Sequence, residues 1–250
     1  MLTPERQERI LALVNEKGFV KLQELVEETG SSESTIRRDL VHLEKMHYIK
    51  RVHGGAASLQ TKGIEPSMHE KSAKNLQEKK AIASAAAAFI KDGDCIYLDA
   101  GSTTYEMIPY LKGKPITVVT NGLMHIEALF EADIRAYLVG GMMKSNTRAL
   151  IGSAALESLN RYRFDACFIG ANGIHHKYGY TTPDPEEALI KKSAMELSGK
   201  SYIVADQSKF SEIAFSKIAE IEKATIITNG LSKQELAIYE KKTAVKVVNI

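Results

Sequence analysis

Ser31-Ser32-Glu33-Ser34-Thr35-Ile36-Arg37-Arg38-Asp39-Leu40-Val41-His42-Leu43-Glu44-Lys45-Met46 decides how the N-terminal part of the chain is read. Ser31 or Ser32 is placed to cap a helix, and Ile36, Leu40 and Leu43 recur at intervals of four and three, giving one apolar face. The other faces carry Ser34, Thr35, Arg37, Arg38, Val41, His42 and Lys45. Short hydroxyls and guanidinium groups on the first half of a helix suit a DNA major groove. Arginine can pair bidentately with guanine, while hydroxyls and helix-end amides hold phosphates.

Downstream, Tyr48-Ile49-Lys50-Arg51-Val52-His53-Gly54-Gly55-Ala56 alternates into a double glycine, the pattern of a strand entering a tight hairpin. Upstream, Thr3-Pro4 opens a helix whose apolar stripe is Ile10, Leu11, Leu13 and Val14, with Gly18 to close it. A short helix over Leu22 to Thr29, with Leu22, Leu25 and Val26 inward, ends at Gly30. Three short helices and a basic hairpin make a winged helix-turn-helix. Its expected DNA contacts are Ser32, Ser34, Thr35, Arg37, Arg38, His42, Lys50, Arg51, His53 and Gly54. Charged outer faces are common on any small helical domain, so the arginine pair alone would not distinguish this from solvated surface. Residues 1–60 hold nine basic and nine acidic groups. With no net charge to supply bulk attraction, DNA binding is expected to come from a dimer or tetramer engaging more than one half-site.

The whole chain has 250 residues, a formal charge of +2, 44% hydrophobic and 26% charged residues, values that point to a globular chain. Its longest apolar run, alanines 85 to 88 with Phe89 and Ile90, is too short to span a bilayer. No cationic start leads into an apolar core and cleavage site, so no secretory signal is expected. Cys95 and Cys167 lie in apolar runs and form no disulfide or metal framework. A soluble cytoplasmic protein is the expectation.

Domain boundaries are expected at 1–58 for the DNA-binding domain, 59–75 for a connector that becomes partly helical after Pro66, and 76–250 for a larger domain. Leu76 to Ile90 reads as an alanine-rich helix packed closely on a sheet, with Gly93 in the following turn. Seven short apolar runs then alternate with helical patterns: Cys95–Leu98, Ile116–Thr120, Ala136–Val139, Ala166–Ile169, Tyr202–Ala205, Ala224–Thr228 and Val245–Val248. That alternation predicts a Rossmann-like α/β domain, a parallel sheet covered by helices, with the last strand either parallel or an antiparallel edge.

Ligands in such sheets bind at the carboxyl ends of strands. The first strand runs through Asp99-Ala100-Gly101-Ser102-Thr103-Thr104 into an expected helix from Tyr105 to Leu111, a phosphate cradle in outline. Later ends supply Asn121, Gly141, Gly170, Gly173, Asp206 and Lys209. Asp99 and Asp206 can accept sugar hydroxyls, and Lys191 or Lys209 can neutralise a phosphate. Each has an ordinary structural reading too, glycine in a turn or aspartate as a cap; together they suggest a small anionic polyol. No nicotinamide fingerprint and no lysine-bearing nucleotide loop is present, so no cofactor is expected. His175-His176 lacks a third ligand at metal spacing, so no metal is expected; the pair reads as a loop near the pocket. His125 reads as packing or surface, and Met142-Met143 as core or oligomer contact.

The stretch from Ser31 to Leu40, with Leu43-Glu44 and Val52-His53-Gly54-Gly55-Ala56, resembles the helix-turn-helix of the DeoR family of bacterial sugar-metabolism repressors. Asp99 to Thr104, Thr120-Asn121, Gly140-Gly141, Phe168 to Ile174 and Asp206 to Phe210 resemble the same family, so the likeness spans essentially the whole chain. The resemblance implies a repressor whose C-terminal domain resembles ribose-5-phosphate isomerase and senses a phosphorylated sugar. The nearest likeness is to fructose operon repressors of Gram-positive bacteria, through Met1 to Arg6, Ser32 to Thr35 and Gly179 to Glu187, which implies fructose 1-phosphate as effector. Many relatives carry an arginine after the connector proline, where this chain has His69, Glu70 and Lys71.

Two functions compete. In one, a sugar phosphate at the strand ends shifts the connector and changes half-site spacing, with either release or promotion of DNA binding. In the other, the domain is an aldose–ketose isomerase drawing on Asp99, Glu186, Asp206, Lys191 and Lys209. The attached DNA-binding domain favours the sensor, with no catalytic residues, and a purely structural module leaves the cradle unexplained.

Overall fold

The computed structural model describes residues 3–17, 19–46, 48–52, 54–58 and 67–249. They divide into two compact units, Met1–Ile64 and Glu65–Ile250.

The first unit runs α1 (Thr3–Lys17), β1 (Phe19–Lys21), α2 (Leu22–Thr29), α3 (Glu33–Lys45), β2 (Ile49–Val52) and β3 (Gly55–Ser58). Ile10, Leu13 and Val14 of α1, Leu22 and Leu25 of α2, and Ile36, Leu40 and Leu43 of α3 share one core with Val20, Ile49 and Ala56. The apolar spacing therefore marks the buried face of each helix. Gly30 ends α2 in the left-handed conformation at φ 61°, and Ser32 caps α3 by accepting the Thr35 amide at 3.3 Å. β1 is a strand the sequence reading did not include. It has only Val20 buried, and leads directly into α2. It pairs antiparallel with β3, which also pairs with β2. A Cβ on Gly55 would stand 2.1 Å from the Val20 carbonyl, so this three-stranded wing closes only around a glycine there. A buried ion pair, Arg6 Nε to Asp39 Oδ2 at 2.5 Å, ties α1 to the inner side of α3.

The second unit opens with α4 (Met68–Ala73) and α5 (Leu76–Ala87), followed by β4 (Cys95–Leu98), α6 (Ser102–Tyr105), β5 (Thr117–Thr120), α7 (Leu123–Glu131) and β6 (Arg135–Leu138). A short hairpin, β7 (Met142–Met143) and β8 (Leu150–Ile151), precedes α8 (Ser153–Leu159) and β9 (Phe164–Ile169). Then come β10 (Gly173–His175), β11 (Gly179–Thr182), α9 (Pro185–Glu196), β12 (Ser198–Val204), β13 (Ser216–Ala219), β14 (Thr225–Asn229), α10 (Lys233–Glu240) and β15 (Val245–Val248). Seven strands form one sheet in the order β15-β14-β12-β9-β4-β5-β6. Every pairing in it is parallel, the last strand included. Ile96 and Leu98 pack with Ile82, Ala83 and Ala86 of α5 on one face. Tyr97, Cys167 and Ile203 pack with Ala155 of α8 and Ala188 and Ala194 of α9 on the other. Burial on both faces explains why the inner strands β4, β5, β9, β12 and β14 read as short apolar runs rather than alternations.

Three local expectations are corrected. The helix expected over Tyr105 to Leu111 is instead the single turn α6 followed by a 3₁₀ segment, Ile108–Leu111. Pro109 has no amide to donate and its ring opposes a continued α-helix. The helix expected to reach Ile90 ends at Ala87 and tightens, with Phe89 and Ile90 amides donating three residues back. Met142 and Met143 lie on an exposed strand, 65% and 53% accessible, and are not core. A second antiparallel sheet, β10-β11-β13, was also absent from the sequence reading.

Candidate functional site

In the first unit, α3 presents Ser32, Ser34, Arg37, Arg38 and His42 to solvent, with Thr35 half-buried. Ser32 Oγ lies 3.1 Å from Ser34 Oγ and 2.8 Å from Thr35 Oγ1, so the hydroxyls form one cluster at the helix start. Arg37 is held by Glu33 through contacts of 2.9 and 2.6 Å. On the wing, Glu44 accepts both the Arg51 amide at 2.9 Å and Arg51 Nε at 2.6 Å. Those contacts hold the Glu44 carboxyl below its usual pKa. Arg38 makes no ion pair among the described residues. Gly54 turns the hairpin with φ 82°. His53 and the Lys50 side chain lie outside what the structure describes.

In the second unit the sheet order fixes where a ligand can enter. From β4 the chain proceeds outward to β5 and β6, then returns to the other side of β4 through β9, leaving a switch point between β4 and β9. Loops diverge there and leave a crevice at the carboxyl ends of the strands. Asp99, immediately after β4, and Gly170, immediately after β9, meet across it. Asp99 Oδ2 accepts the Gly170 amide at 2.8 Å and an ion pair from Lys191 Nζ of α9. Lys191 also donates to the Gly170 carbonyl at 3.1 Å. Asp99 and Lys191 are 2% and 6% exposed, so both charges are withdrawn from water.

The turn after Asp99 is shaped from within. Thr104 Oγ1 donates to the Asp99 carbonyl at 2.5 Å and accepts the Gly101 amide at 3.1 Å. Asn121, after β5, accepts Tyr97 OH at 2.8 Å and the Ala100 amide at 3.0 Å, and donates to the Leu150 carbonyl at 3.1 Å. Thr104 and Asn121 are thus occupied in holding the loops. The Ser102 and Thr103 hydroxyls make no hydrogen bond among the described residues, and they sit at the start of α6, where amides lack helical acceptors.

Next to this turn lies a cluster of positive charge. α4 and α5 both pack on α6. Lys79 of α5, 4% exposed, donates to the carbonyls of Lys74 at 2.7 Å and Lys71. Burial lowers its pKa, with Asp206 opposing. Asp206, after β12, accepts the Asn75 side-chain amide at 3.0 Å and the Ser208 amide at 2.9 Å. Lys209 is pulled down by burial and by Lys74 and Lys71, and pushed back by Asp206. Its ammonium makes no hydrogen bond or ion pair among the described residues.

Behind Lys191, Glu187 of α9 accepts Lys144 Nζ at 2.9 Å and Thr147 Oγ1 at 2.7 Å. Burial alone would raise its pKa; Lys191, Lys144 and Thr147 together hold it below the ordinary value.

Of the strand-end residues expected from sequence, Asp99, Gly101, Ser102, Thr103, Thr104, Asn121, Gly170 and Lys191 gather around the switch point. Asp206 and Lys209 stand at the end of β12. Gly141, at φ +135°, sits where a Cβ would be 2.6 Å from the Ile151 carbonyl, and a Cβ on Gly173 would be 2.5 Å from the Glu212 carbonyl. Both glycines thus serve close backbone packing. Lys79, Asn75 and Glu187 were not anticipated. Lys79 could have been found, because it stands in phase with buried Ile82, Ala83 and Ala86. His125 is fully buried in the core, with no surface character. No group of three or more metal-ligating side chains occurs among the described residues. No helix of the described residues is long and apolar enough to cross a membrane.

A winged helix-turn-helix followed by a parallel α/β unit with a charged crevice at its switch point is the architecture of a DNA-binding transcriptional regulator. Residues 6–62 match the DeoR-like helix-turn-helix domain and residues 74–230 the DeoR C terminal sensor domain. The chain belongs to the DeoR family. It is 52% identical over 249 residues, 99% of each chain, to the "Uncharacterized HTH-type transcriptional regulator FruR" of Bacillus subtilis (strain 168). It is 36% identical to the HTH-type transcriptional regulator GlpR of Haloferax volcanii over 92% of this chain and 91% of that one. Identity is 31% to the lactose phosphotransferase system repressor of Staphylococcus aureus (strain NCTC 8325 / PS 47), over 98% of each. Among solved structures, ribose 5 phosphate isomerase A from Neisseria gonorrhoeae aligns with a TM-score of 0.41 at 22% identity, covering 54% of this chain and 53% of that one.

Proposed function

We propose that this cytoplasmic protein represses a fructose-utilisation operon and is relieved by a phosphorylated sugar, fructose 1-phosphate, bound at the β4/β9 switch point. The observation that supports the sensor half is the buried Asp99–Lys191 pair in the crevice. Burying two charges is costly, and such pairs are weak contributors to stability, so their place at a ligand crevice favours a functional use. The sugar phosphate would meet the Ser102 and Thr103 hydroxyls and the uncommitted Lys209 with its phosphate. Asp99 and Asp206 would take its hydroxyls. The FruR likeness supports fructose as the sugar.

For the DNA half, residues 1–58 form the reading domain in this proposal, 59–75 the connector and 76–250 the sensing and oligomerising part. Ser32, Ser34, Thr35, Arg37, Arg38, His42, Lys50, Arg51, His53 and Gly54 face the operator. A homodimer or homotetramer sets half-site spacing, and the effector changes it through the connector. A mobility shift with DNA from upstream of the protein's own operon, titrated with a panel of sugar phosphates, tests the reading. Release by fructose 1-phosphate alone is expected. A shift insensitive to every sugar phosphate would remove the effector, and the absence of any specific shift would remove the repressor.

A further inference from the structure

We infer that His125 is a positioning residue of the effector site, clamping Thr104 and through it the turn from Gly101 to Thr104. The inference rests on the sugar-phosphate reading of that turn. His125, in the first turn of α7, is completely buried, and its ring meets Tyr105 edge-on at 5.5 Å and 85°. Its Nε2 lies 3.1 Å from Thr104 Oγ1. The single Thr104 hydroxyl proton has backbone carbonyls to go to, Asp99 at 2.5 Å and Gly101 at 2.8 Å, and neither can give a proton back. The oxygen therefore accepts from the imidazole, which fixes the proton of His125 on Nε2.

That tautomer leaves Nδ1 as a bare lone pair, and it is the one buried side-chain polar atom without a partner among the described residues. A leucine would fill the same space with no stranded acceptor, so packing alone disfavours histidine here. The neighbouring chain accommodates the ring specifically. A Cβ on Gly122 would lie 2.4 Å from Nδ1 and 3.0 Å from Ala100 Cα. The imidazole is thus wedged between the loops that follow β4 and β5, with its hydrogen bonding, to Thr104 Oγ1 and to the Gly101 backbone, directed at the cradle. Burial holds its pKa down to about 3, so the clamp stays a neutral donor at physiological pH.

The test uses full-length His125→Leu and His125→Gln, the second of which keeps a side-chain N–H at comparable reach. Three readouts apply: denaturation midpoint, amide exchange of residues 101–105 in the ligand-free protein, and affinity for fructose 1-phosphate with inorganic phosphate as control. His125→Leu is expected to be at least as stable as the parent, to exchange faster at residues 101–105, and to bind fructose 1-phosphate about tenfold more weakly, the fold-change of one lost hydrogen bond. His125→Gln is expected to recover most of that affinity. Unchanged exchange and affinity in His125→Leu, or equal losses of stability and affinity in both variants, would overturn the inference. If the unsubstituted protein binds no sugar phosphate, the proposed function fails, and the exchange rates alone still decide whether His125 clamps the turn.

Discussion

Thr147 donates its hydroxyl to Glu187 at 2.7 Å, joining the turn of the β7–β8 hairpin to α9 across forty residues of sequence. The same turn offers its Asn146 carbonyl to the Met68 amide at 2.9 Å, at the start of α4. On its other side, Glu187 feels the charge of Lys191, which pairs with Asp99. A contiguous set of contacts therefore runs from the switch point to α4, in the later part of the 59–75 connector. Contiguity becomes coupling only where a ligand biases it, so substitution is the proper test. Thr147→Val is expected to cost about 1 kcal/mol of stability. It should blunt effector-driven release from operator DNA while leaving effector-free DNA affinity intact. A denaturation curve and a mobility shift with and without fructose 1-phosphate read both. An undiminished response would show that the hairpin carries no signal.

Lys191 and Lys209, both expected to meet the phosphate, should behave in opposite ways. Lys191→Ala leaves Asp99 buried without its counter-ion, and the expected loss is about 3–5 kcal/mol of stability. Lys209 makes no hydrogen bond or ion pair among the described residues; the opposite charges it feels are those of Asp206 and Glu212, and its burial works against its own charge. Lys209→Ala is therefore expected to keep or slightly raise stability, to keep operator affinity, and to lose sugar-phosphate binding. Calorimetric titration of the variant with fructose 1-phosphate checks it, and normal affinity would remove Lys209 from the site.

On α3, Arg37 is held by Glu33, an exposed pair four residues apart. Exposed pairs of this kind contribute about 0.3–0.5 kcal/mol to stability, so Glu33→Gln should leave folding nearly unchanged. It frees Arg37 for phosphates, which predicts tighter binding to non-specific DNA and a steeper dependence on salt. Arg37→Ala should cost about 1–3 kcal/mol of discrimination if the arginine pairs with a base. Competition binding against scrambled DNA at several salt concentrations measures both. Equal weakening on operator and scrambled DNA would assign Arg37 to the phosphates instead.

The three helices of the first unit and all seven strands of the large sheet were legible because each obeys a local rule. Ile36, Leu40 and Leu43 repeat at helical spacing, while the inner strands are apolar on both faces. β1 escaped notice because three residues with one buried side chain carry no period. β10 and β11 escaped because Gly173, His175 and Gly179 break any apolar run. At the site, strand ends pointed to Asp99 and Gly170, but nothing local showed that Asp99 would pair with Lys191, 92 residues away. Glu187 was hidden for the same reason, its partners Lys144 and Thr147 standing 43 and 40 residues away. Lys79 bonds carbonyls only five and eight residues back, and its helical phase with Ile82, Ala83 and Ala86 is a legible signal.

The pH dependence of stability isolates His125. In an unfolded chain an imidazole titrates near about 6.5, whereas burial in this fold holds His125 at about 3, with the Gly101 backbone only partly opposing. Between those values the unfolded chain binds more protons than the native one, so native stability is full above the unfolded pKa and falls as the pH drops through that window. The slope reaches about 1.4 kcal/mol per pH unit. Carboxylates held low in the fold, among them Asp184, Glu187 and Asp206, lose their contributions only as the pH falls through and below about 4. His175 is also lowered, by burial and by the neighbouring His176 and Lys177, and contributes a loss of the same sign that changing residue 125 leaves in place. Denaturation midpoints of the unsubstituted protein are therefore expected to drop between about pH 6.5 and 4.5, and those of His125→Leu to drop less. Parallel curves for the two proteins would mean that the native imidazole takes up its proton as readily as the unfolded one, so that the clamp on Thr104 does not stay neutral across this range.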